Sequence, residues 1–135
     1  MNAVAGPAAA VDTARVNTIS EVHGQRVLTA APERPTLGSE QDAVDLIGLA
    51  YGEEADVVVV PADRVAEDFY RLGTRVAGDV VRKFAGYRVR LVVLGDIARH
   101  LDASDAFRAF VHEINQGRDI WFVPDEAELA AKLAR

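Results

Sequence analysis

Three aspartates and one histidine are the residues whose types and positions could do chemistry. Asp63, Asp96 and Asp125 each come shortly after an apolar run that predicts a buried parallel strand, and His100 lies four residues beyond Asp96. The carboxyl ends of parallel strands meet at one edge of an open α/β sheet, where such proteins usually bind ligands. Carboxylates grouped there could hold Mg²⁺ or transfer protons, and the His100 imidazole could act as an acid or a base.

A structural role is the competing interpretation for these aspartates. Asp125 precedes Glu128 by three residues, which is the spacing of a capping box, and Asp63 and Asp96 stand where helix or turn caps are needed. The sequence contains no glycine-rich phosphate loop, dinucleotide fingerprint or nucleophile elbow, and its three histidines lack a metal-ligand spacing. We therefore expect no cofactor and no metal site.

Charge is segregated along the chain. Residues 71–90 contain six basic residues and one acid, Asp79, whereas residues 39–68 contain nine acids and one arginine. A basic surface built from Arg71, Arg75 and Arg82 could bind an acidic protein partner, an anionic ligand or a second copy of the chain. A solvated helix face is the alternative, with weak pairs of Arg75 and Lys83 to Asp79 at a spacing of four residues.

Composition limits the classes of partner. The 135 residues are 50% hydrophobic and 27% charged, with a net charge of −6 and no cysteine. The net charge disfavours general attraction to nucleic acid or to an anionic membrane, and no apolar stretch approaches the roughly 20 residues that cross a bilayer. Without cysteine there is no disulfide or thiolate site. We expect a cytoplasmic protein that binds neither nucleic acid nor membrane.

The pattern of apolar residues predicts five strands and four helices in the order β-β-α-β-α-β-α-β-α. A hairpin turn at His23-Gly24 joins the first two strands, and the apolar runs that follow have the unbroken character of strands covered on both faces. The predicted strands are Thr18–Val22, Gln25–Thr29, Val57–Val60, Val89–Leu94 and Ile120–Val123. The predicted helices are Glu40–Ala50, a stripe from Leu72 to Phe84, a third helix capped by Asp102 or Ser104, and a last helix on Leu129 and Leu133.

This order predicts a single α/β domain with a mixed, mostly parallel five-stranded sheet between helices. Residues 1–16 are expected to be a flexible extension, and residues 17–135 to form the domain. Three aromatic residues at strand ends, Trp121, Phe122 and Tyr87, are expected to fill the core between helices and sheet.

Several short motifs resemble a bacterial family described only as a domain of unknown function, DUF4180. They are Asp68–Thr74, Ala77-Gly78, Lys83-Phe84, Tyr87–Val89 and Val93–Asp96, with Ser20–Val22, Ser39–Ala43 and Trp121-Phe122 outside them. The resemblance extends from about Ile19 to Leu133 and implies no particular activity.

The element order is also similar to STAS domains, the class of anti-sigma-factor antagonists and sulfate transporter tails. That resemblance puts Thr74 near the position of a phosphorylated serine, although the acid, two hydroxyl residues and glycine of that motif are absent here. A helix N-cap is the alternative role for Thr74.

We expect a non-catalytic domain that acts by binding a protein partner or by self-association as a homodimer, through Arg71, Thr74, Arg75 and Arg82. The alternative is a small enzyme or a protein that binds a small molecule in the cleft of Asp63, Asp96, His100 and Asp125.

Overall fold

The computed structural model describes residues 18–30 and 37–134, so the expected extension at residues 1–16 lies outside the described residues. Strands and helices follow the order expected from the sequence, with extra short helices at two of the connections. The strands are β1 Thr18–Val22, β2 Gln25–Thr29, β3 Val57–Pro61, β4 Arg90–Leu94 and β5 Ile120–Val123. The helices are α1 Glu40–Gly52, α2 Glu67–Tyr70, α3 Val76–Ala85, α4 Ala98–Ala103, α5 Asp105–Ile114 and α6 Glu126–Leu133.

The five strands form one sheet in the order β1-β2-β3-β4-β5, as a mixed and mostly parallel sheet. Only β1 and β2 are antiparallel, because the turn between them reverses the chain within two residues. The positive φ angles of that turn, 50° at His23 and 80° at Gly24, are those of the tight hairpin turn that the sequence predicts. The α/β fold expected from the sequence is confirmed.

The sheet divides the core into two layers. Val58, Val60, Leu91 and Val93 belong to the larger layer, which also contains the buried side chains of α1, α2, α3 and α5. From β2 to β5, each strand lies on the same side of the strand that precedes it in the chain. Because the crossovers between parallel strands are right-handed, the helices that connect them all lie on one face of the sheet. The last helix, α6, covers the other face with Leu129 and Leu133.

The second layer explains why the central strands are apolar at every position. Val59 and Val92 are paired across β3 and β4, and both belong to the layer beneath α6 together with Trp121. Val59 is 2% exposed and Val92 is 0% exposed. Side chains on both faces of these strands are therefore withdrawn from water, as their unbroken valine runs predict.

Polar side chains occupy the N-cap positions of three helices, α1, α5 and α6. Ser39, Ser104 and Asp125 each accept a hydrogen bond from the backbone N–H three residues further on, at 3.1, 3.0 and 2.8 Å. These bonds satisfy donors that a helix start leaves without a partner. Ser104, one of the two predicted caps, begins the predicted third helix as α5, whereas Asp102, the other, lies within α4, an additional helix that the sequence pattern does not predict.

The prediction for Tyr87 is wrong, whereas those for Trp121 and Phe122 are confirmed. Tyr87 is 44% exposed because it lies in the turn before β4, whereas Trp121 and Phe122 lie within β5 and are buried. Among the described residues, none of the helices has the length and apolar character that crossing a membrane requires.

Candidate functional site

The three candidate aspartates are exposed at the carboxyl side of the sheet and at the start of α6, and two of them have capping roles. The Asp96 carboxylate accepts a hydrogen bond from Ala98 N at 2.8 Å, and Asp125 caps α6. Asp63 lies in a short 3₁₀ turn directly after β3. Within the described part of the chain, no three histidine, aspartate or glutamate side chains are grouped as a metal site would require.

His100 lines a cavity of about 410 Å³ at the carboxyl edge of the sheet, formed by α2 and α4. None of the three aspartates lines this cavity, but Arg71 does. The fold thus brings together two of the candidate residues, His100 and Arg71. Glu67, Tyr70 and Arg99 line the same cavity. We call this cavity the edge pocket.

Stacked aromatic rings form the floor of the edge pocket. The His100 imidazole lies parallel to the Tyr70 ring, with a centroid distance of 3.7 Å and an interplanar angle of 9°. Tyr70 is 4% exposed and its hydroxyl donates to the Ala62 carbonyl at 2.7 Å. Phe107 packs edge-on against the same tyrosine ring. The imidazole is therefore held in place from below while its other face remains accessible.

An ion pair between Glu67 and Arg99 lies on the rim of the edge pocket. The hydrogen bond from Arg99 lowers the pKa of Glu67 below its usual value, and the same contact raises the pKa of Arg99. Burial, followed by the charge of Arg99, lowers the pKa of His100, although Glu67 opposes this. Burial, followed by the charge of Glu67, raises the pKa of Tyr70. The edge pocket thus favours the neutral form of the imidazole and the charged forms of Glu67 and Arg99.

Glu67, Tyr70 and Arg99 are the members of this pocket that sequence reasoning missed as site residues. They lie on short helices a few residues beyond the ends of β3 and β4, whereas the aspartates follow the strands directly. A wider search at the same sheet edge would have included them. Their mutual contacts cross from one βα connection to the next, so no spacing within the sequence reports them.

The approach segment, residues 71–75, differs from its predicted form. The apolar stripe predicted from Leu72 to Phe84 is helical from Val76 onward, and its first member, Leu72, belongs to a 3₁₀ turn over Leu72–Thr74. The N-cap position is Arg75, whose φ angle of 70° is left-handed, and Thr74 precedes it by one residue. The Thr74 hydroxyl still accepts a hydrogen bond from Val76 N, the first residue of α3, at 3.3 Å. It also lies 2.5 Å from the Asp68 carbonyl and 2.8 Å from the Arg71 carbonyl, within the turn.

The basic residues of this region differ in their partners. Arg82 pairs with Asp79, three residues earlier on α3. The predicted pairs of Asp79 with Arg75 and Lys83 are absent among the described residues, where Arg71 and Arg75 also have no ion-pair partner. The left-handed backbone places Arg75 outside α3, so its side chain is not in the i, i+4 relation to Asp79 that a helix would give.

Exposed apolar side chains lie on the neighbouring helix. The large hydrophobic residues that the described chain exposes are Val44, Leu49 and Tyr51 of α1, and Tyr87 after α3. The Tyr51 and Tyr87 rings meet edge-on with a centroid distance of 5.9 Å. Helices α1 and α3 pack against each other; α1 carries Glu40 and Asp42 in its first turn, and α3 carries Arg82 and Lys83 in its last. We call the outer surface of α1 and α3, with Tyr87, the helix-pair face.

Comparisons with known proteins concern the family alone. No curated protein and no solved structure matches the chain. A family model matches residues 22–133, which include the edge pocket and the helix-pair face. The chain therefore belongs to the family described as Domain of unknown function (DUF4180).

Proposed function

We propose that this chain is a non-catalytic domain that acts by self-association, as a homodimer formed through the helix-pair face. The observation that carries the proposal is the concentration of exposed apolar side chains there. Val44, Tyr51 and Tyr87 are 39%, 54% and 44% exposed, and Tyr51 contacts Tyr87. Tyrosine-containing apolar patches surrounded by charge are typical of protein interfaces.

Charge complementarity supports a second copy as the partner. Helix α1 carries Glu40 and Asp45 on its exposed side, and the basic residues Arg75 and Arg82 belong to α3 or its approach. In a twofold dimer every contact between the two copies occurs twice, once in each direction. The acidic helix α1 of each copy can therefore contact the basic helix α3 of the other copy. Because α1 and α3 are neighbours in the fold, a single twofold axis that passes between them allows both of these contacts to form.

The approach segment gives further support. Arg71 and Arg75 are exposed and have no ion-pair partner among the described residues, so their charges are available to an acidic surface. The element order shared with STAS domains suits a regulatory domain that acts through contacts. A cytoplasmic location, expected from the cysteine-free composition, belongs to the same proposal.

Complementary charge reversals test the proposed interface. The variant Arg75→Glu with Arg82→Glu and the variant Glu40→Lys with Asp45→Lys are each expected to associate more weakly than the unchanged chain. An equimolar mixture should recover association, because opposite charges again face each other. Sedimentation equilibrium measures all three samples.

A matched control is Asp102→Lys with Glu113→Lys, which reverses two exposed acids on α4 and α5 away from the helix-pair face. This variant should associate like the unchanged chain. Failure of the mixture to recover association, or equal weakening in the control, would contradict the proposed interface.

A second candidate function is binding of a small polar molecule in the edge pocket. The specific observation is the His100 imidazole stacked on Tyr70 beside the Glu67–Arg99 pair, in a cavity of a size that small ligands occupy. A screen of small polar molecules, monitored through the His100 imidazole NMR signals, tests it. Shifts that saturate, and that Arg99→Gln weakens while His100 still reports, would favour this candidate, and their absence would count against it.

A further inference from the structure

A second groove lies at the opposite, amino edge of the parallel strands. Its volume is about 600 Å³, and it is bounded by the start of β4, the turn before β5 and the end of α6. Arg90, Arg118 and Lys132 line it together with the amides of Asn115 and Gln116, and none of its lining residues is acidic. This groove shares no lining residue with the edge pocket, and neither proposed function uses the residues that line it.

Arg90 is held in position at the floor of this groove. Its guanidinium carbon lies 4.0 Å from the centroid of the buried Trp121 ring, and its Nε–H donates to the Arg118 carbonyl. An arginine has five N–H donors, of which the four on the terminal nitrogens have no hydrogen-bond partner among the described residues. Stacking and one backbone bond therefore fix the group while leaving a planar set of donors for a ligand.

The positive charges are close enough to oppose each other. Burial, followed by the charge of Arg118, lowers the pKa of Arg90, and Asp119 only partly offsets this. Lys132 places its ammonium group 4.3 Å from the centroid of the Trp121 ring and donates to the Asn115 carbonyl at 2.8 Å. An anion between Arg90 and Arg118 would relieve their repulsion and accept charge-assisted hydrogen bonds from both.

We propose that the groove of Arg90, Arg118 and Lys132 is a binding site for a compact phosphate-bearing small molecule. The guanidinium fork matches the geometry of phosphate oxygens, and a volume of about 600 Å³ is that of a small-molecule site.

Acidic residues limit the length of the ligand. Asp56 and Asp119 line the adjoining cavity, which shares Arg90 and Arg118 with the groove. A long polyanion such as a nucleic acid would extend from the groove onto these carboxylates, whereas a compact anion fits within the groove, which no acidic residue lines.

The only tryptophan of the chain reports on this site directly. Trp121 contacts Arg90 and Lys132, so an anion that engages these cations should change the tryptophan fluorescence. The probes are inorganic phosphate and pyrophosphate, titrated at constant ionic strength against chloride. We expect a saturable fluorescence change, tighter for pyrophosphate because it offers more charged oxygens to the same cations.

Variants distinguish a site from general screening. Arg118→Gln should weaken pyrophosphate binding at least about tenfold, the effect expected for one lost charge-assisted hydrogen bond. Arg108→Gln, which removes an arginine outside the groove, should bind like the unchanged chain. Circular dichroism checks that each variant is folded.

The proposal is overturned if pyrophosphate causes no saturable change beyond that of chloride, or if both variants bind it equally well. An ester such as a nucleoside diphosphate, titrated in parallel, tells whether the groove prefers an organic phosphate to the free anion. Either preference supports a phosphate site.

Discussion

At the scale of single residues, Arg75 has the least ordinary backbone of the candidate residues. Its φ angle is 70° at the start of α3, in a region that arginine rarely adopts and that asparagine or glycine adopts more easily. No side chain caps α3 at this position. A charged residue is thus kept in a costly conformation where it is exposed to solvent, which is common at binding surfaces.

The conformation of Arg75 makes its substitution by a β-branched residue unfavourable. Arg75→Val should lower the free energy of unfolding by about 1–2 kcal/mol, because valine is strained at positive φ. Arg71→Val is the matched control, since Arg71 is exposed with an extended backbone, and it should change stability by less than about 0.5 kcal/mol. Urea denaturation measures both variants. Equal losses would show that the left-handed conformation of Arg75 does not determine the effect.

His100 should make stability depend on pH in the mildly acidic range. Its pKa is below the ordinary value of 6.5 in the folded chain, because of burial and of Arg99 and Arg71, against the opposing charge of Glu67. As pH falls below 6.5, the unfolded chain takes up this proton more readily than the folded chain, so the free energy of unfolding decreases. Above that pH both states are neutral at His100 and the effect is absent.

The variant His100→Phe keeps a ring on Tyr70 but cannot be protonated. Between about pH 7.5 and pH 5.5, its melting temperature should fall less than that of the unchanged chain. Scanning calorimetry across this range makes the comparison. The same decrease in both proteins would mean that His100 does not have the lowered pKa.

At the scale of elements, periodicity identified the strands and most helices but not the breaks between short helices. Local signals in the sequence predicted these elements, and the structure confirms them. They are the apolar runs of β3 and β4 and the helix N-caps at Ser39 and Asp125. Helix α4 and the 3₁₀ turn before α3 span six and three residues, too few to show a repeating apolar pattern. Tyr87 is a further example, because an aromatic residue beside a strand predicts burial, whereas its turn is exposed to solvent.

The candidate sites were less predictable than the fold, because their residues come from parts of the chain that are distant in sequence. The rule that ligands bind at carboxyl ends of strands led to His100, but Glu67, Tyr70 and Arg71, which complete the pocket, come from the connection after β3. The amino-edge groove combines β4, β5 and α6, whose residues are up to 42 positions apart between Arg90 and Lys132. No sequence spacing predicts such a set.

Burial of the second sheet face leads to a prediction at the level of a strand. Val59→Asp places a carboxylate beneath α6 at a position that is 2% exposed, and should destabilise the fold by several kcal/mol. Val44→Asp is the matched control, because it makes the same change at a position that is 39% exposed. Thermal unfolding at low protein concentration compares them. A melting temperature for Val59→Asp close to that of the control would contradict the two-layer core.

At the scale of the whole molecule, three surfaces lie at different parts of the sheet. The edge pocket lies at the carboxyl ends of the strands, the amino-edge groove at the opposite ends, and the helix-pair face on the outer side of the larger helical layer. Tyr87 connects two of these surfaces, because it belongs to the helix-pair face and lines the cavity that shares Arg90 and Arg118 with the groove. Phosphate binding should therefore be measured at protein concentrations low enough to keep the chain monomeric.

The association should depend on salt as well as on concentration. Acidic and basic surfaces attract less when salt screens them, whereas the contact of Tyr51 and Tyr87 with a partner would remain. A dimer held by both should thus weaken with added salt without being abolished.

Sedimentation equilibrium of the unchanged chain over a micromolar concentration range is the most direct test of self-association. The proposal predicts a mass that rises with concentration from 14.6 kDa toward twice that value, with the rise shifted to higher concentration by added salt. A mass that stays at 14.6 kDa across the whole range would contradict it.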